Sequence, residues 1–479
     1  MVQIWQERIR DIIMQKLSVT TLAAFNTNVD AVVHLANEHV AELCRDPRVD
    51  MAEVNRIASD DILEIHTANE FVAVLKGALG YGKSSYVIIR NHELLNWLDE
   101  KFPSRKANMG GQAGVIANQM AALGAESLCY TSLLSPKQVE MFFPAVRVPV
   151  VEDGLKVVPV GEAADPTHQT KVNWIFEYPK HAQYDFCGET ITTPRANRVI
   201  AATRPQGVVM GFSDAISPYL PELGKRIDVA FLAGYHYAPK EEEALKAYLE
   251  QSMASVHSLK QGNPKLRLHY EYVPMSDENA EKTVLKAIAQ EIQSFGINEN
   301  EIKRVLSEFG FQALCDEIAA DERAFCLYQG VLQLMRALGF ERIQLHNLGY
   351  YVLVLKKPYA LAPELVRDAC LFASSVNAIK AKYGGYVRSE QLAEASEMPL
   401  SDIGAEQLRL FAVEMRAQGV DLSDDFESTG IADMGDHYVL VVPAHVVPNP
   451  VSTVGMGDTI SSSAYAYECK FHTAERILG

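Results

Sequence analysis

The chain has 479 residues, enough to bury a sizeable core without disulfide staples. Its 48% hydrophobic and 22% charged residues are an ordinary globular balance, which excludes a disordered, collagenous or fibrous protein. Lys and Arg number 44 against 61 Asp and Glu, and the formal charge of −17 makes a poor general binder of nucleic acid or anionic membrane, against which a basic pocket would stand out.

Residues 1–17 mix Glu, Arg, Asp and Lys with apolar side chains and predict a surface helix rather than a signal peptide. A strand is predicted over 20–25, ending in Asn26-Thr27-Asn28-Val29-Asp30. Ligands of open α/β sheets bind at the carboxyl ends of strands, and a carboxylate there can accept two hydrogen bonds from a vicinal diol. An Asx-rich turn reads equally from these residues. The stretch 34–106 is polar, charged and helix-rich. Gly110-Gly111 then opens a helix over 113–123, closed by Gly124, with Val115, Ile116, Met120 and Leu123 on one buried face. The two glycines allow a close backbone approach to a ligand, and Gln112 adds an amide; a tight turn is the plainer reading.

Short strands are predicted within 145–176, and 179–203 reads as loop. Lys171, Lys180, Arg195 and Arg198, with Trp174 and Phe176 between them, would hold a phosphate if they gather, or are scattered surface charge. From Ile227 strands and helices alternate: strand 229–233, helix 240–260, strand 266–273, helix 279–295, then strands 342–345 and 350–355. This rhythm predicts a doubly wound, mainly parallel α/β sheet.

Period-two alternation puts Arg267, His269 and Glu271 on one strand face, and Asn298-x-x-Glu301 offers a second hard-oxygen pair. A metal-held water or a phosphate network would explain them, as would a solvated edge strand or a helix cap. His346-Asn347-Leu348-Gly349-Tyr350-Tyr351 frames an aromatic base or is core and turn. The strongest signal is Gly455-Met456-Gly457-Asp458 before a small-residue helix over 459–469. A glycine turn entering a helix presents backbone N–H groups to an anion. A carboxylate there can take a proton from an attacking hydroxyl, or can simply cap the helix.

The seven cysteines include no C-x-x-C pair, which predicts reduced thiols in a cytoplasmic protein. No apolar run approaches the roughly 18 residues of a membrane helix. Neither nucleic acid nor membrane is expected as a partner.

In order, N-T-N-V-D, G-G-Q-A-G, W-I-F-E-Y-P, N-R-V-I, H-Y-E-Y, N-E-N-E, H-N-L-G-Y-Y and S-T-V-G-M-G-D-T resemble the ADP-dependent sugar kinases. These are the ADP-dependent glucokinases and phosphofructokinases of the ribokinase-like superfamily. The resemblance implies a large α/β domain (1–30, 109–165 and 213–479) and a smaller lid (31–108 and 166–212) that clamps a sugar. It implies Asp458 as catalytic base, with Gly455, Met456 and Gly457 giving backbone amides to the transferred phosphoryl group. Asn28, Asp30, Gly111 and Gln112 would hold sugar hydroxyls. Glu271 and Glu301 would organise Mg²⁺, largely through waters. Asn298, His346 and Tyr351, with Val439 and Val442, would line the nucleotide.

ADP as donor rests on the resemblance, since the residues alone reach only phosphoryl transfer to a hydroxyl. Lys171 stands where phosphofructokinase-like members carry a basic residue; with Arg198 it would clasp the 6-phosphate of fructose 6-phosphate. Glu70 matches a position associated with glucose. Together they imply phosphofructokinase activity with glucokinase activity beside it. The other readings are a glucokinase alone, an ATP-dependent ribokinase-type enzyme, or a non-catalytic sugar or nucleotide sensor. A monomer or small homo-oligomer is expected.

Overall fold

The computed structural model describes residues 2–59, 62–451 and 454–478. Apolar runs such as Val229–Ala233, buried at every position, are satisfied only in a sheet covered on both faces. They build an eleven-stranded sheet. Its spatial order is Ile431–Asp433, His437–Pro443, Tyr350–Lys356, Arg342–Asn347, Ser294–Asn298, Arg267–Glu271, Val229–Ala233, Thr20–Phe25, Glu126–Tyr130, Arg147–Val151 and Leu155–Pro159. Neighbours are parallel from Arg342–Asn347 through Arg147–Val151 and antiparallel outside them. The first strand of the chain lies between Glu126–Tyr130 and Val229–Ala233, so strand order reverses beside it. A crevice opens at the carboxyl end of such a strand, where Asn26 to Asp30 leave the sheet.

A second, six-stranded sheet takes Glu64–Ile65, Ser85–Ile89, Asn197–Thr203, Val172–Tyr178, Asn28–His34 and Lys106–Gly110, in that order. Burial alternates strictly along Val172–Tyr178. Trp174, Phe176, Val29, Val33, Val199 and Ala201 form one face of a separate core, with Phe71, Leu75, Trp97 and Leu98 from two helices. Each large apolar side chain buried there contributes about 1.5–3 kcal/mol. The opposite face carries Asp30, Asn173, Glu177 and Arg198, set by the registers Asp30↔Asn173 and Arg198↔Glu177.

Several expected elements are corrected. The 179–203 segment is not loop: Gln183–Phe186 and Glu189–Thr192 form a hairpin, followed by Asn197–Thr203. Its turn uses Cys187 and Gly188, both at positive φ, in place of the usual Asn-Gly. The 34–106 stretch carries the two short strands Glu64–Ile65 and Ser85–Ile89 as well as helices. The helix expected over 279–295 ends at Ile288, because Phe295 belongs to a strand paired on both sides. Tertiary pairing there overrides local preference. The helix Gln112–Ala122 is buried all round rather than on one face. The N-terminal helix, Val2–Ile13, buries Trp5, Ile9, Ile12 and Ile13. Arg267–Glu271 is an interior strand, which removes the edge-strand reading. No described helix is long and apolar enough to cross a membrane.

Candidate active site

The final helix, Met456–Leu478, begins just after Gly455, whose φ is 66°. A Cβ at Gly455 would stand 3.0 Å from Val115, and one at Gly457 would stand 3.1 Å from His346 Nε2 and 3.4 Å from Glu271 Oε1. The glycines therefore let the helix start settle against these groups. Its first N–H groups have no intrahelical partner, the arrangement that can receive an anion, with Met456 half-buried in the first turn. Asp458 lies in that turn. Burial raises its pKa, while a hydrogen bond from Gln112 and the charge of Lys380 oppose the rise. Ser452 and Thr453 of the same motif lie outside the described residues.

Gln112 Nε2 donates to Asp458 Oδ1 at 3.1 Å and to the Glu271 carbonyl oxygen at 3.3 Å. Only glycine fits before it. A Cβ at Gly111 would sit 2.4 Å from the Asn26 carbonyl oxygen, and one at Gly110 would sit 2.4 Å from Asp30 Oδ1. Asn28 Nδ2 donates to Asp30 Oδ1 at 2.6 Å, and Asn173 Nδ2 donates to the same atom at 3.3 Å. Burial pushes Asp30 up to about 6. The two motifs thus join one site at the passage between the sheets.

Glu271 is buried, and its Oε2 occupies space that Gly296 leaves: a Cβ there would be 1.8 Å away. Burial raises its pKa well above the usual carboxylate range, and Asp458 and Glu301 add to the rise. Glu301 is pushed up to about 7, first by burial and also by Asp458. His346 Nε2 lies 3.8 Å from Glu271 Oε1, burial lowers it to about 4, and its Nδ1 is buried with no hydrogen-bond partner. Glu271 and Glu301 each feel the Asp458 charge, and a divalent cation would relieve that repulsion. Among the described residues no three His, Cys, Asp or Glu side chains converge to hold a metal directly. The arrangement fits Mg²⁺ that keeps most of its waters. Asn298 and Glu301 also form the capping box of the helix Glu299–Glu308, as the helix-cap reading of this pair expects.

A second cluster gathers cations. Lys171 is 2% exposed, and its Nζ donates to Asn26 Oδ1 at 2.5 Å and stands 4.6 Å over the Tyr237 ring. Burial and the neighbouring Arg204 push it down to about 7. The Arg204 guanidinium covers the same Tyr237 ring at 4.6 Å and donates to the Tyr86 hydroxyl. Arg198 is exposed on the open sheet face, and its charge reaches Asp30.

Other expected members fall elsewhere. Trp174 and Phe176 face the core, Lys180 is exposed, and Arg195 Nε donates to the Gly82 carbonyl oxygen. Glu70 caps the helix Ala68–Tyr81, accepting from the His66 and Thr67 backbone N–H groups. Tyr351, Val439 and Val442 are at most 2% exposed inside the core, so these side chains present no surface to a base in this conformation.

Arg204 and Lys380 were missed by sequence reasoning. Arg204 directly follows the strand Asn197–Thr203, a stretch that reads as loop from the sequence, so no strand end pointed to it. Lys380 sits inside the long helix Pro363–Tyr383 with no local signal.

This geometry has close counterparts. Residues 20–467 match the model of the ADP-specific phosphofructokinase/glucokinase conserved region. The ADP-specific phosphofructokinase of Methanosarcina acetivorans is 33% identical over 455 residues, covering 92% of this chain and 91% of that protein. A solved structure of the last common ancestor of ADP-dependent phosphofructokinases from Methanosarcinales superposes with a TM-score of 0.86 at 31% identity, covering 98% and 99% of the two chains. An ADP-dependent kinase solved with fructose 6-phosphate and ADPβS gives a TM-score of 0.79 at 31% identity, covering 98% and 97%. With the glycine turn, its aspartate and the carboxylate group brought together in one full-length fold, the chain belongs to the ADP-specific phosphofructokinase/glucokinase family.

Proposed function

We propose that this protein transfers the β-phosphoryl group of ADP to the C1 hydroxyl of fructose 6-phosphate, giving fructose 1,6-bisphosphate and AMP, and that it also phosphorylates glucose. The observation that carries the reading is Asp458 in the first turn of an anion-binding helix, bonded through Gln112 to the Glu271 backbone. Asp458 takes the proton of the attacking hydroxyl. The free N–H groups around Gly455, Met456 and Gly457 stabilise the charge that develops on the phosphoryl oxygens. Asn28, Asp30 and the backbone at Gly111 orient the sugar. Lys171 and Arg204, aided by Arg198, clasp the 6-phosphate; their nearness in a chain of charge −17 supports that role.

Glu271 and Glu301 would hold Mg²⁺ through waters, and the ion supplies charge neutralisation to the donor phosphates when bound. Their repulsion by Asp458 supports this placement. His346, with the cap residue Asn298 near it, lies on the nucleotide side. The six-stranded sheet and its helices form a lid that closes on the sugar and excludes water. In that role it takes its chain from about 28–110 and 172–203.

The test is AMP and sugar-phosphate production with Mg·ADP and, separately, fructose 6-phosphate and glucose. Turnover with both, faster with fructose 6-phosphate, is expected. Turnover with ATP in place of ADP would overturn the donor, and turnover with glucose alone would overturn the phosphate clasp.

A further inference from the structure

Behind Glu271 runs a buried chain of side chains that the proposed chemistry does not use. Arg342 and Glu468 are both 0% exposed, and Arg342 Nε donates to Glu468 Oε2 at 2.9 Å. Arg342 Nη2 donates to Gln344 Oε1 at 2.7 Å, and Nη1 donates to Ser294 Oγ at 3.0 Å. Ser294 Oγ lies 2.9 Å from His269 Nδ1, and His269 Nε2 lies 3.3 Å from Glu271 Oε2. Glu468 comes from the same helix that carries Asp458 at its start, about 15 Å along the axis.

The directions of these bonds follow from elementary chemistry. A guanidinium can only donate, so Ser294 Oγ accepts from Arg342. Among the described residues, the one acceptor that meets the Ser294 hydroxyl is His269 Nδ1. Nδ1 must then offer its lone pair, and a neutral imidazole carries its single proton on Nε2, facing Glu271. With the proton on Nδ1, a ring lone pair would face the carboxylate and the serine hydrogen would be buried without an acceptor.

We infer that Arg342 and Ser294 are positioning residues that fix the His269 proton on Nε2 and so hold the Glu271 carboxylate in the orientation used by the metal and its waters. The metal half of this statement rests on the proposed function; the tautomer half does not. Groups that orient metal-site ligands from behind typically change metal affinity about 10–100-fold when removed.

The test pairs spectroscopy with binding. Two-bond proton–nitrogen correlation spectra of histidine-labelled protein report each ring tautomer, and the His269 signals are assigned by their loss in His269→Asn. The Nε2–H form is expected, with loss of that preference in Ser294→Ala and its return in Ser294→Thr. An Nδ1–H ring in the native protein overturns the inference. Mn²⁺ binding in the presence of ADP, followed by electron paramagnetic resonance, should weaken about tenfold in Ser294→Ala and recover in Ser294→Thr, with the KM for fructose 6-phosphate unchanged. Unchanged Mn²⁺ affinity in a folded Ser294→Ala protein would also overturn it. Arg342→Gln is the poorer variant because it strands a buried Glu468 charge. If the native protein shows the Nε2–H ring but no ADP-dependent turnover, the functional reading fails and the tautomer assignment stands.

Discussion

The Gln112 side-chain amide lies 3.1 Å from Asp458 Oδ1 and is the hydrogen bond that opposes the effect of burial on that carboxylate. Removing it in Gln112→Leu leaves only the Lys380 charge against the effect of burial, so the Asp458 pKa rises further. A base works only when deprotonated. The acidic limb of the kcat/KM profile should therefore move to higher pH, by about one unit for a bond worth roughly 1.4 kcal/mol. A limb that moves to lower pH, or stays put, would separate Gln112 from the base.

Asp458→Asn keeps the shape and the hydrogen-bonding position but cannot accept the proton. It should lose about 10²–10⁴ in kcat, while the equilibrium affinities for sugar phosphate and nucleotide stay within a few-fold. Single-turnover kinetics beside equilibrium binding would check this. Near-native turnover would remove Asp458 from the base role.

Lys171 is held down to about 7 by burial and Arg204, so above that pH much of its population is neutral in the empty site. A phosphate dianion beside it favours the charged form. Binding of fructose 6-phosphate at pH 8 should then take up protons, visible as a calorimetric heat that varies with the ionisation enthalpy of the buffer. Lys171→Met should abolish that variation and raise the KM for fructose 6-phosphate about tenfold or more, with the KM for glucose within about twofold. Equal effects on both sugars would sink the phosphate clasp.

Glu301 serves as a helix cap and also feels the Asp458 charge, and two variants separate these roles. Glu301→Gln keeps the capping box while deleting the charge. It should leave the melting temperature nearly unchanged and raise the half-saturating Mg²⁺ concentration about tenfold. Glu301→Ala should show the same Mg²⁺ shift and also lose about 1 kcal/mol of stability. A Mg²⁺ requirement that stays native in both would leave Glu301 as a cap only.

Glu70→Ala should cost about 1 kcal/mol through the same kind of cap and leave the ratio of glucose to fructose 6-phosphate turnover unchanged. A selective rise in the KM for glucose would instead return Glu70 to the sugar.

Chain-local signals made much of this site legible in the sequence. A Cβ at Gly110 would meet the Asp30 side chain and one at Gly111 the Asn26 carbonyl oxygen at 2.4 Å, while at Gly455 and Gly457 it would crowd side chains at 3.0–3.4 Å, so the glycines announce close packing. Asp458 stands at a helix start, and Asp30 lies near the beginning of the strand Asn28–His34, just beyond the carboxyl end of Thr20–Phe25. The cation pair proposed as a phosphate clasp was only half legible: the sequence singles out Lys171, but Arg204 is brought to it by the pairing of Asn197–Thr203 with Val172–Tyr178. Trp174 and Phe176 looked like partners of that clasp, yet strand alternation turns them into the opposite face. Tyr351 sits in a suggestive motif, but its antiparallel pairing with Val442 buries it. Pairing between distant segments decided the misses at Arg204 and Tyr351, and strand alternation those at Trp174 and Phe176.

The position of the strand Thr20–Phe25 in mid-sheet bears on how the protein is made. Thr21 pairs with Ser127 on one side and with Val229 on the other. At about 5–20 residues per second, the ribosome needs about 10–40 s between the first strand and its second neighbour. The smaller core, complete once Asn197–Thr203 has emerged, can close first. Until then the nascent chain carries an unpaired apolar edge, the kind of surface on which chains aggregate. Codon-dependent pausing or chaperone capture in that interval would act on this one strand.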